Sequence, residues 1–254
     1  MRFINAIVRT PCPSMVNGLT SATLGKPDYQ LALEQHEKYI QALKQCRVFV
    51  TTLKPADEFP DSVFVEDAAL MTLHCAIITN PGAPSRNPEL KLLGSTIRKY
   101  FTSLERIEAP GTLDGGDVMM VGKHFYIGLS ERTNEKGASQ LIKILKKYDM
   151  TGSTIPLKEM LHLKTGLSYL ENNILLITGE FLKMEAFKNF NQIVVDEDEA
   201  YAVNSIWVND TIIVPEGYPK TLKKIQEAGY RTITVDVSEF RKLDGGLSCL
   251  SLRF

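Results

Sequence analysis

Asp117-Val118-Met119-Met120-Val121-Gly122-Lys123-His124-Phe125-Tyr126-Ile127 reads as two short apolar runs joined by a polar turn that contains a glycine, the pattern of a β-hairpin. A helical pattern over residues 134–148 follows it, and the same succession recurs along the chain. The other hairpins are residues 67–70 turning to 76–78, 167–170 turning at Glu171-Asn172-Asn173 to 174–177, and 205–208 turning at Asn209-Asp210 to 211–214. Residues 88–100 and 219–228 carry leucines and isoleucines at three- and four-residue steps, the second closed by Gly229, and strands such as 231–235 come next. Four ββαβ units result. A fifth arises if a C-terminal strand, 246–252, joins the N-terminal strand at 3–8, the helix after Pro27 and the strand at Val48. Repetition at this period, with the termini removing a sheet edge, predicts an α/β fold. The expectation is a five-unit ββαβ pseudo-symmetric α/β propeller, a single domain over residues 1–254 closed by the two termini.

Composition narrows the function classes. The chain has 254 residues, 44% of them hydrophobic, enough to fill a substantial core. Its 29 basic and 30 acidic residues are scattered and give a formal net charge of -1, so no electrostatic footprint for nucleic acid or an anionic membrane exists. Asn5 and Arg9 interrupt the first apolar run too early for a signal-peptide core, and no window approaches a membrane span. The expected partner is therefore a small molecule, with no nucleic acid and no membrane, in the cytoplasm; a homodimer is compatible with this reading. Residues 10–26, with Pro11, Pro13, Gly18 and Gly25, read as a long loop of the kind that often serves as a lid.

Cys12, Cys46, Cys75 and Cys249 lie far apart without CxxC spacing, which excludes the zinc-site and dense disulfide patterns. Of the four, Cys249 alone has a flexible approach, in Leu243-Asp244-Gly245-Gly246-Leu247-Ser248-Cys249, where the lack of a Cβ lets backbone come close to a ligand. A buried cysteine in a C-terminal strand is the bland alternative. Two further acidic stretches, Asp61-Ser62-Val63-Phe64-Val65-Glu66-Asp67 and Leu113-Asp114-Gly115-Gly116-Asp117, also stand just before apolar strands. Any one of them is most simply a turn or cap. Three at equivalent repeat positions, together with His162 ahead of another hairpin, supply a thiol, an imidazole and carboxylates, the groups that nucleophilic catalysis needs, while Glu66 and Asp67 could bind a cation.

On Asn17-Gly18-Leu19-Thr20, residues 59–67, Gly111-Thr112-Leu113-Asp114-Gly115-Gly116-Asp117, Leu161-His162-Leu163-Lys164-Thr165-Gly166 and 244–249, the chain resembles the dimethylarginine dimethylaminohydrolases. These belong to the guanidine-modifying superfamily that includes arginine deiminases and amidinotransferases. The resemblance runs nearly end to end and implies the same five-unit propeller. It implies Cys249 as nucleophile, His162 as general acid and base, and Asp114 as the carboxylate that orients the histidine. It further implies Glu66 and Asp67 as guanidinium-binding acids, Phe64 as pocket lining, and Asp61 with the backbone of Leu19 and Leu243 as further substrate contacts. Arg86 and Arg132 match the arginines that hold the substrate carboxylate. Members carry Asp or Glu at the Asp114 position, and the shorter side chain leaves its reach to His162 open.

The implied activity is hydrolysis of asymmetric dimethylarginine and monomethylarginine to citrulline and dimethylamine or methylamine, through a covalent thiouronium on Cys249. A guanidinium is a poor electrophile, so acids that fix its carbon against sulfur supply proximity and orientation. No metal or organic cofactor is needed. An arginine deiminase would use the same residue types, although those enzymes typically carry an additional helical domain. A non-catalytic binding protein on the same fold, as in a ribosome anti-association factor, would not require Cys249, His162 and Asp114 together. A cysteine protease fits the Cys/His/Asp set but not the paired acids Glu66 and Asp67.

Overall fold

A computed structural model describes residues 2–254. It contains five three-stranded sheets with one plan: the middle strand pairs antiparallel with one neighbour and parallel with the other. Three sheets lie in the compact unit Glu66–Val194. They are Ala69–Met71, Ala76–Ile78 and Leu104–Arg106; then Val118–Val121, His124–Leu129 and Thr151–Pro156; then Leu167–Tyr169, Ile174–Ile177 and Asn191–Val194. The other two lie in the unit formed by the chain up to Val65 with Val195–Phe254. One is Ile206–Val208, Thr211–Pro215 and Arg231–Val235, and the other joins both ends of the chain as Leu252–Arg253, Asn5–Arg9 and Phe49–Leu53. Ala6 faces Arg253 and Ile7 faces Leu252 across that pairing. The α/β fold of five ββαβ units expected from the sequence is present.

The middle strands explain themselves. Thr211–Pro215 is buried along its whole length, and both faces covered is what a continuous β-branched run such as Ile212-Ile213-Val214 requires. The turns that feed them were legible for the same local reasons. Asn209 and Asp210 take φ of 48° and 69°, and Glu171, Asn172 and Asn173 take 65°, 52° and 59°, the left-handed region that Asn and Asp tolerate best. Two helices carry side-chain caps. In Tyr29–Gln45, Asp28 Oδ1 accepts from Gln30 N and Leu31 N at 2.8 and 3.1 Å, and Ala32, His36, Tyr39, Ile40 and Leu43 form the buried face. In Glu135–Lys147, Asn134 Oδ1 accepts from Gly137 N at 2.8 Å, Ala138, Leu141, Ile144 and Leu145 are buried, and Lys146 and Lys147 favour the C-terminal end of the dipole.

Two elements differ from expectation. Residues 88–100 do not form one helix: a 3-10 segment, Pro84–Leu92, gives way to a single turn, Gly94–Ile97. Pro84 and Pro88 remove backbone donors, and leucine spacing does not compensate for them. The C-terminal strand is only Leu252–Arg253, because Ser248–Leu250 coils into a 3-10 turn. Residues 10–26 contain a turn of their own, Pro13–Asn17, with Met15 buried.

Each unit has its own apolar packing. Ala6, Val8, Tyr39, Leu43, Phe64 and Phe240 belong to one cluster. In Glu66–Val194, one cluster includes Ile77, Leu113, Ile127 and Leu141, and another Leu163, Leu175, Ile177 and Phe181. No helix among the described residues is long and apolar enough to cross a membrane. Every sheet is entered through a short helical turn just before the strand antiparallel to its middle strand: Val65–Ala68, Gly115–Asp117, Leu163–Gly166, Glu197–Val203 and Ser248–Leu250. These turns carry or adjoin most of the candidate chemistry.

Candidate active site

Within Glu66–Val194, three of these turns are brought together by glycines. A Cβ on Gly115 would stand 2.0 Å from the Glu66 carbonyl oxygen, and one on Gly116 would stand 3.0 Å from Asp67 Oδ1 and from His162 Cγ and Nδ1. Any side chain at Gly115 would therefore force the acid-bearing turns apart. Asp114, 1% exposed, accepts through Oδ2 from His162 Nε2 at 3.1 Å and through Oδ1 from Gly82 N at 2.8 Å. The short Asp side chain does reach the histidine. Asp67 Oδ1 accepts from Gly116 N at 2.9 Å, and its Oδ2 from Arg86 Nη1 at 2.6 Å.

That arginine is buried. Its Nε and Nη2 fork onto Glu89 Oε1 and Oε2 at 3.0 and 3.1 Å, so a carboxylate–guanidinium–carboxylate row, Asp67–Arg86–Glu89, runs through the interior. Lys164 Nζ pairs with Glu66 Oε1 at 2.6 Å. Asp117 accepts from Leu163 N at 3.0 Å and from Ser130 Oγ at 2.6 Å, which anchors the backbone one residue past His162. Arg132 is half-buried; its backbone N–H donates to Ser130 Oγ at 3.0 Å, and its main chain covers Gly82.

The electrostatics follow from this arrangement. Burial alone would lower the His162 pKa, but the hydrogen bond to Asp114 and the charges of Asp67, Asp117 and Asp114 outweigh it and push the value up to about 9. At neutral pH the ring is an imidazolium, and Nε2–H is the donor to Asp114. Burial would raise Asp67, yet His162 and Arg86, the Gly116 N–H and Lys164 hold its carboxyl below the ordinary range. For Asp117 burial prevails and the carboxyl is pushed up. Burial would lower Arg86, but Asp67 and Glu89 hold its guanidinium above its usual value. Asp67, Asp114 and His162 each offer an atom within 4.8 Å of the others, a set with metal-ligand chemistry. A protonated ring has no lone pair to give, so that set could ligate a cation only once His162 loses its proton.

The remaining candidates lie in the other unit. Cys249 sits in the turn Ser248–Leu250 and is half-buried and reduced; Cys12 and Cys46 of the same unit, and Cys75 of Glu66–Val194, are reduced and buried at 1%, 4% and 0% exposure. Burial pushes the Cys46 and Cys75 thiols up, away from nucleophilicity. Leu19 N donates to Asp61 Oδ1 at 2.9 Å. A Cβ on Gly18 would meet both Asp61 Oδ1 and Leu243 Cδ1, so Leu19, Asp61 and Leu243 share one neighbourhood. Phe64 packs edge-on to Phe240 at 6.4 Å and lies against Gly245, where a Cβ would come within 2.2 Å of its ring. Asp244 Oδ2 accepts from Ser21 N at 2.6 Å and Ser21 Oγ at 3.0 Å, while Thr20 Oγ1 donates to Lys242 O at 2.9 Å, which ties the loop to the turn ahead of Cys249.

A family model described as N,N dimethylarginine dimethylhydrolase, eukaryotic, matches residues 25–250. The chain belongs to the dimethylarginine dimethylaminohydrolase family. It is 56% identical to the N(G),N(G)-dimethylarginine dimethylaminohydrolase of Pseudomonas aeruginosa over 99% of this chain and 100% of that one. To the protein of the same name from Streptomyces coelicolor it is 33% identical, over 98% and 96% of the two chains. A solved structure of the Pseudomonas aeruginosa family member, a cysteine-to-serine variant complexed with citrulline, matches with a TM-score of 0.99 at 56% identity over 100% of both chains.

For a dimethylarginine dimethylaminohydrolase, the structure adds groups that the sequence did not single out. Glu89, Asp117 and Lys164 touch Arg86, the His162 turn and Glu66 respectively. A signal existed for each: Glu89 stands at the i+3 position from Arg86, Asp117 closes the Gly-Gly-Asp motif, and Lys164 lies inside the His162 motif. Arg86, expected beside Arg132 on a substrate carboxylate, pairs in this structure with two internal carboxylates, Asp67 and Glu89.

Proposed function

We infer that the chain hydrolyses N-omega-methylated arginines, asymmetric dimethylarginine and monomethylarginine, to citrulline and the corresponding methylamine. The observation that carries this reading is the half-buried His162, hydrogen-bonded to buried Asp114 beside Asp67, in a member of this family. Glu66 and Asp67 take the substrate guanidinium. Cys249, as thiolate, attacks its central carbon, and His162 gives its proton to the departing dimethylamine, which leaves a thiouronium on sulfur. The now neutral ring takes a proton from water. The hydroxide adds to the same carbon, the carbon–sulfur bond breaks, the added hydroxyl gives its proton to water, and citrulline leaves with the thiolate and the imidazolium restored.

In this reading residues 1–254 act as one catalytic domain. Leu19, Asp61, Phe64 and Leu243 contact the substrate, and Arg132 holds its carboxylate. Arg86 acts through Asp67, which its guanidinium grips and keeps ionised. Residues 10–26 serve as a lid, supported by the fastening of Thr20 and Ser21 to Lys242 and Asp244. The four reduced thiols fit work in the cytoplasm.

Incubation with asymmetric dimethylarginine, arginine and agmatine separately, with citrulline-type ureido products and released amines measured, tests the reading. Dimethylarginine is expected to yield citrulline and dimethylamine in equal amounts, at a rate that a strong chelator leaves unchanged. Faster release of ammonia from arginine would move the chain to the deiminases. Cys249→Ser is expected to bind substrate without turnover, and activity in that variant would overturn the nucleophile.

A further inference from the structure

Four of the five sheet-entry turns carry or adjoin residues already given roles: Glu66 and Asp67, Asp114, His162, and Cys249. The equivalent turn of the remaining sheet, Glu197–Val203, had none. Asn204 ends it, its backbone N–H donating to Tyr201 O at 3.1 Å, and its side chain reaches the turn that bears the cysteine. Asn204 Oδ1 accepts from Ser248 N at 2.9 Å, and Nδ2 donates to Ser248 Oγ at 3.1 Å. Gly246 makes room for this, since a Cβ there would lie 2.5 Å from Asn204 Oδ1. Tyr201 Oη donates to Gly245 O at 2.8 Å, a second tie from the same turn.

These contacts fix which amide atom of Asn204 faces which group of Ser248. The Ser248 backbone N–H can only donate, so the atom facing it is the amide oxygen, and the amide nitrogen must face Ser248 Oγ. That nitrogen can only donate, so the hydroxyl oxygen accepts from it, and towards a thiolate, which can only accept, the hydroxyl is the donor. Cys249 Sγ stands 3.9 Å from Ser248 Oγ, within range of a sulfur hydrogen bond. We propose that Asn204 is a positioning residue which, through Ser248, aims a hydroxyl proton at the Cys249 sulfur and so favours the thiolate. A donor to sulfur stabilises the charged form and not the thiol, which places the contribution before substrate attack. This rests on Cys249 as the nucleophile.

Alkylation by iodoacetamide tests it on the full chain. The thiolate displaces iodide and gains one carbamidomethyl group, so the rate at the Cys249 peptide, followed by mass spectrometry across pH, reports ionisation without any turnover. Ser248→Ala is expected to move the midpoint upward by about 0.5 to 1 pH unit, the scale of one weak hydrogen bond to an anion. Asn204→Ala should move it similarly. Asn204→Asp decides between positioning and mere support, because it is nearly isosteric and can still accept from Ser248 N. Its second oxygen, however, would draw the Ser248 proton away from sulfur and add a negative charge. The largest upward shift is therefore expected there, and it should shrink markedly in the Ser248→Ala background, whereas a residue acting only through its charge would shift the midpoint equally with or without the Ser248 hydroxyl. Unchanged midpoints in Ser248→Ala and Asn204→Asp overturn the proposal, and Ser248→Ala decides alone if Asn204→Asp does not fold. Residual turnover in Cys249→Ser would instead sink the nucleophile assignment, so the two failures are distinguishable.

Discussion

Two histidines, one in each unit, show what burial does and does not decide. His36 lies on the helix Tyr29–Gln45 at 3% exposure, with Nε2 unpartnered and the Phe240 ring 6.4 Å away. His162 is comparably enclosed, its side chain 14% exposed, among Asp114, Asp67 and Asp117. Burial presses both toward the neutral form. In the apolar setting it prevails against the weak opposing charge of Glu37, and the His36 pKa falls to about 4. Among carboxylates it loses, and the His162 pKa rises to about 9. The partners, not the depth, determine which histidine is a proton donor at neutral pH.

The largest expected effect tests that division directly. His162→Gln should lower kcat by about 10²- to 10⁴-fold, the range for a lost general acid, whereas His36→Leu should leave steady-state turnover of dimethylarginine nearly unchanged. Equal losses in the two variants would break the comparison. Asp114→Asn sharpens it. By removing the largest favourable contribution to the imidazolium, it should bring the alkaline limb of the pH profile for kcat/KM down from about 9. An unmoved limb would mean that some other group titrates there.

Next comes the row that holds Asp67. Arg86→Ala would leave Asp67 and Glu89 buried without their shared cation, which costs roughly 3–5 kcal/mol when one member of a buried ion pair is deleted. Urea unfolding checks this. The kinetic signature separates positioning from carboxylate binding: if Arg86 acts through Asp67, agmatine and dimethylarginine turnover should both fall. Arg86→Ala that spares agmatine, which has no carboxylate, would return the arginine to the substrate.

Legibility in the sequence followed the range of the interactions. The hairpin Val118–Val121 to His124–Leu129 and the strand Arg231–Val235 were readable because alternation and turn chemistry are local. The segment Pro84–Leu92 misled because leucine spacing suggested a helix that its prolines deny, and Ser248–Leu250 because apolar residues next to a terminus resemble a strand. At the site, Asp114 and His162 stood out through their motifs and the family resemblance. Asn204 and Lys164 did not, since what each does lies in a partner that only the fold brings near, and Glu89 was passed over although its partner Arg86 is local. Asp244, at φ 57°, was read as one of a set of acidic turns, and the structure shows it holding the loop at Ser21 instead.

The smallest effect is also the one that compares the histidines within a single measurement, the dependence of stability on pH. For His36 the folded pKa is depressed, so between about 4 and 6.5 the unfolded chain binds the extra proton. Stability is complete above 6.5 and falls as pH drops toward 4. For His162 the folded pKa is raised, so its contribution is complete below 6.5 and is lost as pH rises through about 9. Each span corresponds to roughly 3 kcal/mol at about 1.36 kcal/mol per unit. Urea unfolding from pH 4 to 9 should thus show two limbs with separate owners. His36→Leu should flatten the acid limb alone, because an apolar residue of similar size has no proton to bind and leaves no unpartnered nitrogen. His162→Gln should flatten the alkaline limb alone. If His36→Leu left the slope between pH 4 and 6.5 as steep as before, the acid limb would belong to carboxylates. The apolar histidine would then carry no charge penalty, and burial would decide less than the comparison claims.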